Sequence, residues 1–498
     1  MKRTFILLFS FLTLANSVRA QEATTQPEQA VTITLEEAIE LARTQSVDAA
    51  VALNVLKKAY WEYRTFRAEL LPEMNFASTL PNFNKRYNSY QQSDGTYTYI
   101  PNNNLSMNGS LSIDQNIWFT GGKLSLTSSI DYMKQLDGKK GQRFMSVPVV
   151  LTLNQPIFNV NHIKWKRRIE PVRYEEAKAS FLSATENVTM TTINHFFNLL
   201  LAKERVQIGR QNLENAEKLF DVAKAKRAMG QISENDVLQL ELNMLEARSA
   251  LTANESSLKS QMFALRSFLA LGSDVILDPV IPETLPEVTL VYDDVLDKAL
   301  KNNSFSKNIL RRQLQADYEV AKAKGRRRAI NLFAQVGLTG TGKELKGAYN
   351  PLKDNQVVQV GFNIPLLDWG KRRGQVKVAE SNREVTVSRL RQEEMNFQQN
   401  LFILVENFNN QQQQLQLADA ADKIAQKRYQ TNVETFMIGK ISTLDLNDSQ
   451  TRKDLARQKH INELLFYWRY YYQVRSLTLW DFNHNTNIDA DFEKIILK

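Results

Sequence analysis

The spacing of hydrophobic and polar positions changes abruptly between Val357 and Glu380. Apolar residues first occupy every second position, as in a strand with one apolar face, until Pro365. Beyond Gly374 the spacing becomes helical, and no further proline interrupts it. This stretch predicts a strand that ends near a proline and passes into a long helix.

The same junction occurs 209 residues earlier, where Asn154 and Pro156 correspond to Asn363 and Pro365. The offset then persists without a gap through two turn-like segments. The corresponding turn residues are Gly230 with Gly439, Ile232 with Ile441, Ser233 with Ser442, and Asp236 with Asp445. Markers that recur at one spacing indicate an internal structural repeat.

Each turn-like segment predicts a reversal between two antiparallel helices. A glycine suits the left-handed position after a helix, and Ser233 and Ser442 suit the N-caps of the returning helices. The helical pattern before each turn covers about 65 residues, a rod of roughly 100 Å. The second rod has apolar positions that step by four and three, as in a coiled coil. They are Phe397, Leu401, Leu404, Phe408, Gln411, Leu415 and Ala418.

Residues 74–157 lack the charged helical pattern and are rich in Ser, Thr, Asn and aromatic residues. Strands of about ten residues with one apolar and one small or polar face fit the wall of a transmembrane barrel, and a soluble sandwich is the alternative. A helix near Leu35 has its copy near Tyr292, so the first half holds about 48 additional residues before the junction. We expect these residues to form an extra hairpin between about Leu105 and Tyr132, near the extracellular mouth.

The N-terminal residues 1–20 combine a basic start, an apolar run and small residues, which is the pattern of a secretory signal peptide. No later segment has the roughly 18 consecutive apolar residues of a spanning helix. The formal charge of +9 is modest for 498 residues and argues against a nucleic-acid partner. The chain has no cysteine, so neither a disulfide nor a lipid-modified cysteine is expected.

Motifs that would indicate an enzyme are not found in the sequence. His162, His195, His460 and His484 have no metal-ligand spacing, and His195 falls on a heptad position, which favours a packed histidine. No nucleophile motif or phosphate-binding loop occurs. We therefore expect no catalytic residue, no cofactor and no metal site.

The junctions and turns resemble those of the TolC family of outer-membrane efflux proteins over nearly the whole chain. The most specific segments are LTLNQPIF and VGFNIPLLDWGKRR at the junctions, and GQISENDVLQ and GKISTLDLND at the turns. The resemblance implies a mixed α and β fold, in which a trimeric transmembrane β-barrel is continuous with a long α-helical coiled-coil tunnel in the periplasm. Each family protomer supplies four strands to a shared twelve-stranded barrel.

The resemblance also implies a function without catalysis. The chain would be a homotrimer in the outer membrane, in contact with its lipid, that serves as a passive exit duct. A periplasmic adaptor would dock on the tunnel tip and join it to an inner-membrane pump. The alternative is a secreted structural or surface coiled-coil protein with no transport role. Nothing in the sequence indicates the transported substrate.

The expected organisation places one protomer in residues 21–498 after the signal peptide. Within it we expect barrel strands in 73–158 and 331–366, helical hairpins in 159–272 and 367–480, equatorial and connecting helices in 31–72 and 273–330, and a tail in 481–498. The hairpin tips would dock the adaptor through Gly230, Ile232, Ser233, Gly439, Ile441 and Ser442.

At the tunnel tip, the family's pair of constriction carboxylates falls on Asp445 and Asp448, and the acid of its closure contact falls on Asp236. A ring of such carboxylates would favour cations, and crowding would raise some of their pKa values, so that conductance would respond to mildly acidic pH. The alternative for Asp236 and Asp445 is helix capping. The family's tyrosine and arginine positions hold Phe436 and Ile441, so closure would rest on packing.

Basic clusters follow both junctions, and they include Arg167, Arg168, Arg372 and Arg373. Cations at the start of a helix oppose its dipole, so an interaction outside the helix must account for these residues. We expect a belt against anionic headgroups at the periplasmic leaflet. The alternative, solubility and capping of helix ends, accounts for other basic groups such as those near Arg64 and Arg326.

Overall fold

The computed structural model describes residues 30–137, 140–272, 274–282, 285–328, 330–362, 367–438 and 440–497. The expected signal peptide, together with Asn363, Pro365 and Gly439, lies outside these residues. In chain order the elements are β1 (Ala30–Ile33), α1 (Leu35–Gln45), α2 (Val47–Ala68), β2 (Glu73–Gln91), β3 (Tyr97–Ile117), β4 (Gly122–Gln135), β5 (Gly141–Ile157), α3 (His162–Ala228), α4 (Glu234–Phe268), β6 (Ile276–Pro279), α5 (Tyr292–Asn302), α6 (Ser304–Gly325), β7 (Ile330–Gly342), β8 (Lys353–Phe362), α7 (Lys371–Met437), α8 (Thr443–Thr478), β9 (Trp480–Asp481), β10 (Thr486–Asn487) and α9 (Phe492–Leu497).

The main sheet is antiparallel and has the strand order β2-β3-β4-β5-β7-β8. Its two faces differ in chemistry. One row of paired positions is apolar and consists of Ile113, Leu126, Leu151 and Val336. The adjacent row on the other face is polar and consists of Asp114, Ser125, Thr152 and Gln335. Among the described residues no layer covers the apolar face, and Leu126, Leu151 and Val336 are exposed.

The sheet departs from the sequence-based expectations in its strands and in its extra hairpin. Most strands are longer than ten residues, and β3 has 21. The extra hairpin exists as β3 and β4, but the predicted position of its turn is wrong. That turn lies beside the start of α3, where Asn161 Nδ2 donates a hydrogen bond to the Trp118 carbonyl at 2.8 Å. The reason is chain direction, because β2 carries the chain away from α2 and β3 returns it. The sheet therefore has six strands, not the four that the family resemblance implies.

Two helical hairpins continue from the sheet, α3 with α4 and α7 with α8. Both α3 and α7 contain 67 residues, so each extends roughly 100 Å. The predicted heptad seam of α7 is confirmed, since Leu401, Leu404 and Phe408 are buried. Gln411 is also buried in this seam and donates from Nε2 to Glu463 Oε2 at 2.6 Å. The polar glutamine is compatible with the seam because its amide is hydrogen-bonded.

The main hydrophobic core lies where both hairpins meet α1 and α5. The aromatic run of α8 contributes Tyr467, Trp468 and Tyr471, which are nearly fully buried. His195 packs against Phe268 with ring centroids 5.1 Å apart, and burial lowers its pKa. Within the described residues, no helix combines the length and apolar character needed to cross a membrane.

A network of buried ion pairs links the elements around this core. The Glu186 side chain is 2% exposed; its Oε1 lies 2.7 Å from the Arg43 guanidinium, and its Oε2 lies 3.3 Å from Arg475 Nε. Arg475 also pairs with Asp481 at 2.8 Å, and Tyr471 donates to the same carboxylate at 2.9 Å. Burial disfavours the charge of Asp481, but its hydrogen bonds and Arg475 prevail and lower its pKa to about 2. The network joins α1, α3, α8 and β9.

Replacing the central carboxylate should destabilise the protein. Glu186→Gln leaves Arg43 without its carboxylate and Arg475 with Asp481 alone, so we expect the free energy of unfolding to fall by about 3 kcal/mol. Urea unfolding in detergent, followed by circular dichroism, measures this change. The matched control is Glu175→Gln, which breaks a more exposed pair with Lys178 and should cost less than about 1 kcal/mol. Equal losses in the two variants would contradict a stabilising role for the network.

Candidate functional site

The hairpin tips are built by local backbone chemistry. Between α3 and α4, Gly230 has a φ of +71°, which an L side chain rarely adopts, and no atom lies within 4 Å of the position that a Cβ would take. The glycine is therefore required by its backbone conformation and not by a close neighbour. Ser233 and Ser442 are the N-caps of α4 and α8, as predicted.

Asp236 and Asp445 are both held by these caps. Ser233 Oγ donates to Asp236 Oδ2 at 2.6 Å, and Ser442 Oγ donates to Asp445 Oδ2 at 2.6 Å. In each turn the aspartate N–H donates to the serine Oγ and the serine N–H donates to the aspartate Oδ2, and these two bonds form a capping box. The hydrogen bonds from Ser233 lower the pKa of Asp236. The capping interpretation of these residues is thus confirmed within the chain.

Asp448 lies one turn further along α8 and is paired with two arginines. Arg428 on α7 donates to Oδ2 at 2.9 Å, and Arg452 Nε lies 2.8 Å from Oδ1. Arg452 could have been found from its spacing of four residues on a helix. Arg428 could not, because it lies on the other helix of the hairpin. Neither arginine was singled out by the sequence analysis.

The electrostatics of the tip differ from the expectation of crowded carboxylates. Hydrogen bonds from Arg452 and Arg428 lower the pKa of Asp448. Within one chain, hydrogen-bond donors therefore lower the pKa of Asp236 and Asp448, and the rise expected from crowding between copies stays a prediction. Each copy of the tip also carries two arginines beside its acids, which weakens the negative field that the acids alone would produce.

A cavity of about 330 Å³ lies between the two tips. Its lining brings together Asp236 and Ile232 of the first turn with Phe436, Ile441 and Ser442 of the second. These positions include those that the resemblance assigned to the closure contact. The Lys226 ammonium lies 5.7 Å from the centroid of the Phe436 ring, which is a cation–π contact at the position where the family has a tyrosine.

Above the tips, buried polar contacts join the two hairpins to each other. Asn215 Nδ2 donates to the Tyr429 hydroxyl at 3.1 Å, and Asn212 Nδ2 donates to Asp454 Oδ2 at 2.6 Å. Arg457 bridges Glu204 of α3 and Asp422 of α7 at 3.1 and 3.3 Å. These contacts hold the two hairpins at a fixed spacing. They could not be predicted from the sequence, because the paired residues are far apart along the chain.

At the strand-to-helix junction, Asn154 and Pro156 lie in β5, where they pair with Phe333 and Asn331 of β7. The four arginines of the expected belt have different surroundings. The Arg167 guanidinium lies 3.9 Å from the Trp118 ring centroid, and Arg168 lies 4.8 Å from that of Trp165. Arg372 donates to the Arg326 carbonyl at 3.1 Å, whereas Arg373 has no ion pair with any described residue. The side chains are held at the surface and are not neutralised by carboxylates.

Metal-binding geometry is not found in the part of the chain that the structure describes, where no group of three or more His, Asp or Glu side chains could hold an ion. The described tips and junctions thus offer charged side chains and packing surfaces.

The comparisons with known proteins agree with this architecture. The outer membrane efflux protein family matches residues 38–271 and 305–467, which is most of the chain. The chain belongs to this family, and the resemblance to TolC-like proteins is confirmed. No curated protein sequence matches the chain.

Solved structures show the same fold at low sequence identity. The CmeC outer membrane channel of Campylobacter jejuni is 15% identical, with 93% of this chain and 88% of that chain covered and a TM-score of 0.65. The outer membrane protein VceC of Vibrio cholerae is 14% identical, with 91% and 97% covered and a TM-score of 0.61. The MtrE outer membrane channel of Neisseria gonorrhoeae, in its open state, is 13% identical, with 91% and 90% covered and a TM-score of 0.58.

The ion pairs of Asp448 should keep α7 and α8 packed together at the tip at mildly acidic pH. A lowered pKa keeps the carboxylate ionised, so the stabilisation is lost only as pH falls below roughly 4. We expect hydrogen exchange of residues 428–452, corrected for intrinsic rates, to be unchanged between pH 7 and pH 5. Asp448→Asn should raise exchange at both values, whereas Asp221→Asn, at an exposed pair with Lys224, should not. Protection that falls between pH 7 and pH 5 would contradict the assignment.

Proposed function

We propose that this chain is the outer-membrane exit duct of a tripartite efflux or secretion system. It assembles as a homotrimer, a periplasmic adaptor docks on its hairpin tips, and an inner-membrane pump supplies the energy. The duct is passive and its own residues carry out no reaction. The transport class follows from the family, while the partners, the trimer and the passive role belong to this proposal.

The observation that carries the proposal is the two-faced sheet. Its apolar face is exposed along several strands, and its other face carries hydroxyl, amide and carboxylate side chains. That combination suits a wall between lipid and an aqueous lumen. A soluble sandwich would cover the apolar face with a second sheet, and the described residues contain no such layer.

The helical hairpins support assembly in the same way. On α4 the exposed residues Leu238, Leu242 and Leu245 step by four and three, and on α7 Leu417 and Ile424 are seven residues apart. Apolar stripes with this spacing belong to coiled-coil contacts. They have no partner among the described residues of the same chain, so neighbouring copies supply the natural cover.

We further propose that the tips form the periplasmic constriction, with Asp445, Asp448, Asp236 and Phe436 around the opening. The adaptor would dock on the outer surface of the turns. Because the cavity between the tips is lined by Phe436 and Ile441, closure rests on packing and on the Lys226 contact. The arginine pairs make the constriction a ring of mixed charge, with a weaker preference for cations than unpaired acids would give.

Planar-bilayer recording tests the duct and its constriction together. The wild-type protein should produce discrete conductance steps, and failure to form any pore would contradict the duct. Asp445→Ala with Asp448→Ala removes both acids and leaves Arg428 and Arg452 unpaired. We therefore expect selectivity to shift toward anions and block by divalent or trivalent cations to weaken.

The control for this recording removes two acids elsewhere on the rods. Glu394→Ala with Glu406→Ala changes the same formal charge at exposed positions of α7 that make no ion pair with any described residue. It should leave selectivity unchanged. If the tip variant behaves like this control, the carboxylates do not form the constriction.

A further inference from the structure

A second cavity, of about 830 Å³, lies at the opposite end of the rods, where α3, α6 and α7 meet the sheet. Six basic side chains and one carboxylate line it. The basic residues are Lys164 and Arg168 of α3, Lys324 and Arg327 at the end of α6, and Arg373 and Lys377 of α7. Three helices thus direct one sign of charge at a single concave site, which concentrates anions.

Most of this charge has no internal partner. The single carboxylate, Glu380, lies 3.1 Å from Lys324 and 3.0 Å from Lys377. The other four cations, Lys164, Arg168, Arg327 and Arg373, make no ion pair within the described residues. The folded chain therefore holds four unneutralised cations around one cavity. Such an arrangement produces a positive potential that attracts anions.

The cavity has an apolar floor beneath its charged rim. Val160 and Val376 are buried there, and Phe158 and Trp165 complete the lining. Gly325 makes the close packing possible, because a Cβ at this position would lie 2.7 Å from the Val160 nitrogen. An anion with an apolar part fits this division better than a free inorganic ion does.

Exposed aromatic residues surround the same level of the molecule. Trp118 and Phe119 lie in the β3–β4 turn, Phe158 follows β5, and Trp369 immediately precedes α7 with 89% of its surface exposed. Asn161, which lines the cavity, donates to the Trp118 carbonyl and so ties the turn to the site. Exposed Trp and Phe side chains close to the strand-to-helix junctions are typical of a membrane–water interface.

The local field also acts on a neighbouring histidine. His162 begins α3, and its Nδ1 lies 2.5 Å from the Tyr318 hydroxyl. Partial burial lowers its pKa, and repulsion from Lys322, Arg326 and Lys166 lowers it further. The charge of this region therefore extends beyond the cavity rim and opposes any additional cation.

We propose that this cavity binds the phosphate of an anionic lipid headgroup, with the acyl-bearing part of the lipid on the apolar floor. Arg168 and Arg373 hold the phosphate, since a guanidinium can donate two parallel hydrogen bonds to it. The site is discrete, in contrast to a diffuse belt, because Arg167 and Arg372 of the same helices do not line it. This proposal rests on the proposed outer-membrane placement and adds a specific lipid to it.

Lipid retention by the full mature chain in detergent, measured by native mass spectrometry, tests the site. The probes are phosphatidylglycerol and a diacylglycerol with the same acyl chains and no phosphate. We expect the wild type to retain phosphatidylglycerol and not diacylglycerol. Equal retention of both would overturn the proposal without any substitution, so the test does not depend on a variant that folds.

The variants locate the binding. Arg168→Gln with Arg373→Gln should weaken phosphatidylglycerol binding by roughly 30-fold, since each charge near an anionic headgroup contributes about fivefold. Arg168→Lys with Arg373→Lys should lose less. The charge-matched control Lys259→Gln with Lys427→Gln, on α4 and α7 away from the cavity lining, should retain the lipid. If Arg167→Gln with Arg372→Gln weakens binding equally, the charges form a diffuse belt and the discrete site is wrong.

Inorganic phosphate distinguishes the two sources of the anion. If millimolar phosphate displaces phosphatidylglycerol fully, the site accepts a free anion and the lipid assignment is overturned. Outer-membrane fractionation of the same proteins separates this test from the proposed function. A wild type in the outer membrane that retains no lipid contradicts only the lipid site, whereas a wild type absent from the outer membrane contradicts the duct itself.

Discussion

The constraint on which the structure depends is that an antiparallel sheet cannot leave its edges unpaired in a membrane. The strands β2 and β8 are the two edges of the six-stranded sheet, and neither has an outer partner among the residues that the structure describes. Each unpaired N–H or carbonyl in hydrocarbon costs several kcal/mol, so only a closed barrel satisfies them all. Pairing β8 of one copy with β2 of the next would meet this requirement. It would also leave the apolar face of the sheet free to contact lipid.

Closure of the sheet determines the arrangement of the helices. Because each long helix continues from a strand, a ring of sheets places the hairpins side by side as a tube. The polar contacts of Tyr429, Asp454 and Arg457 hold the two hairpins of one chain at a fixed spacing. In such a ring the exposed stripes on α4 and α7 would face neighbouring copies. With six strands per chain, a ring of three would contain more strands than the family's twelve, and the lumen would be correspondingly wider.

Local patterns allowed much of this architecture to be predicted from the sequence. The rods, the seam through Leu401 and Phe408, the capped turns and the repeat depend on residues a few positions apart, and the structure has them where expected. The arginine partners of Asp448 were missed, because Arg428 belongs to another helix; within one chain these arginines lower the pKa of Asp448. The extra hairpin was expected, but its turn was misplaced, since its direction depends on how the strands pair. The basic clusters that line the cavity could be seen in the sequence. Their meeting at one site could not, because it depends on how three helices pack.

The central claim is that three copies of the chain close one sheet. Multi-angle light scattering of the mature protein, purified from outer membranes in mild detergent, tests this claim most directly. The method gives the protein mass of the particle separately from the mass of the bound detergent. The account predicts particles that contain three chains. A particle with one chain would leave both edges of the sheet unpaired and would contradict the account.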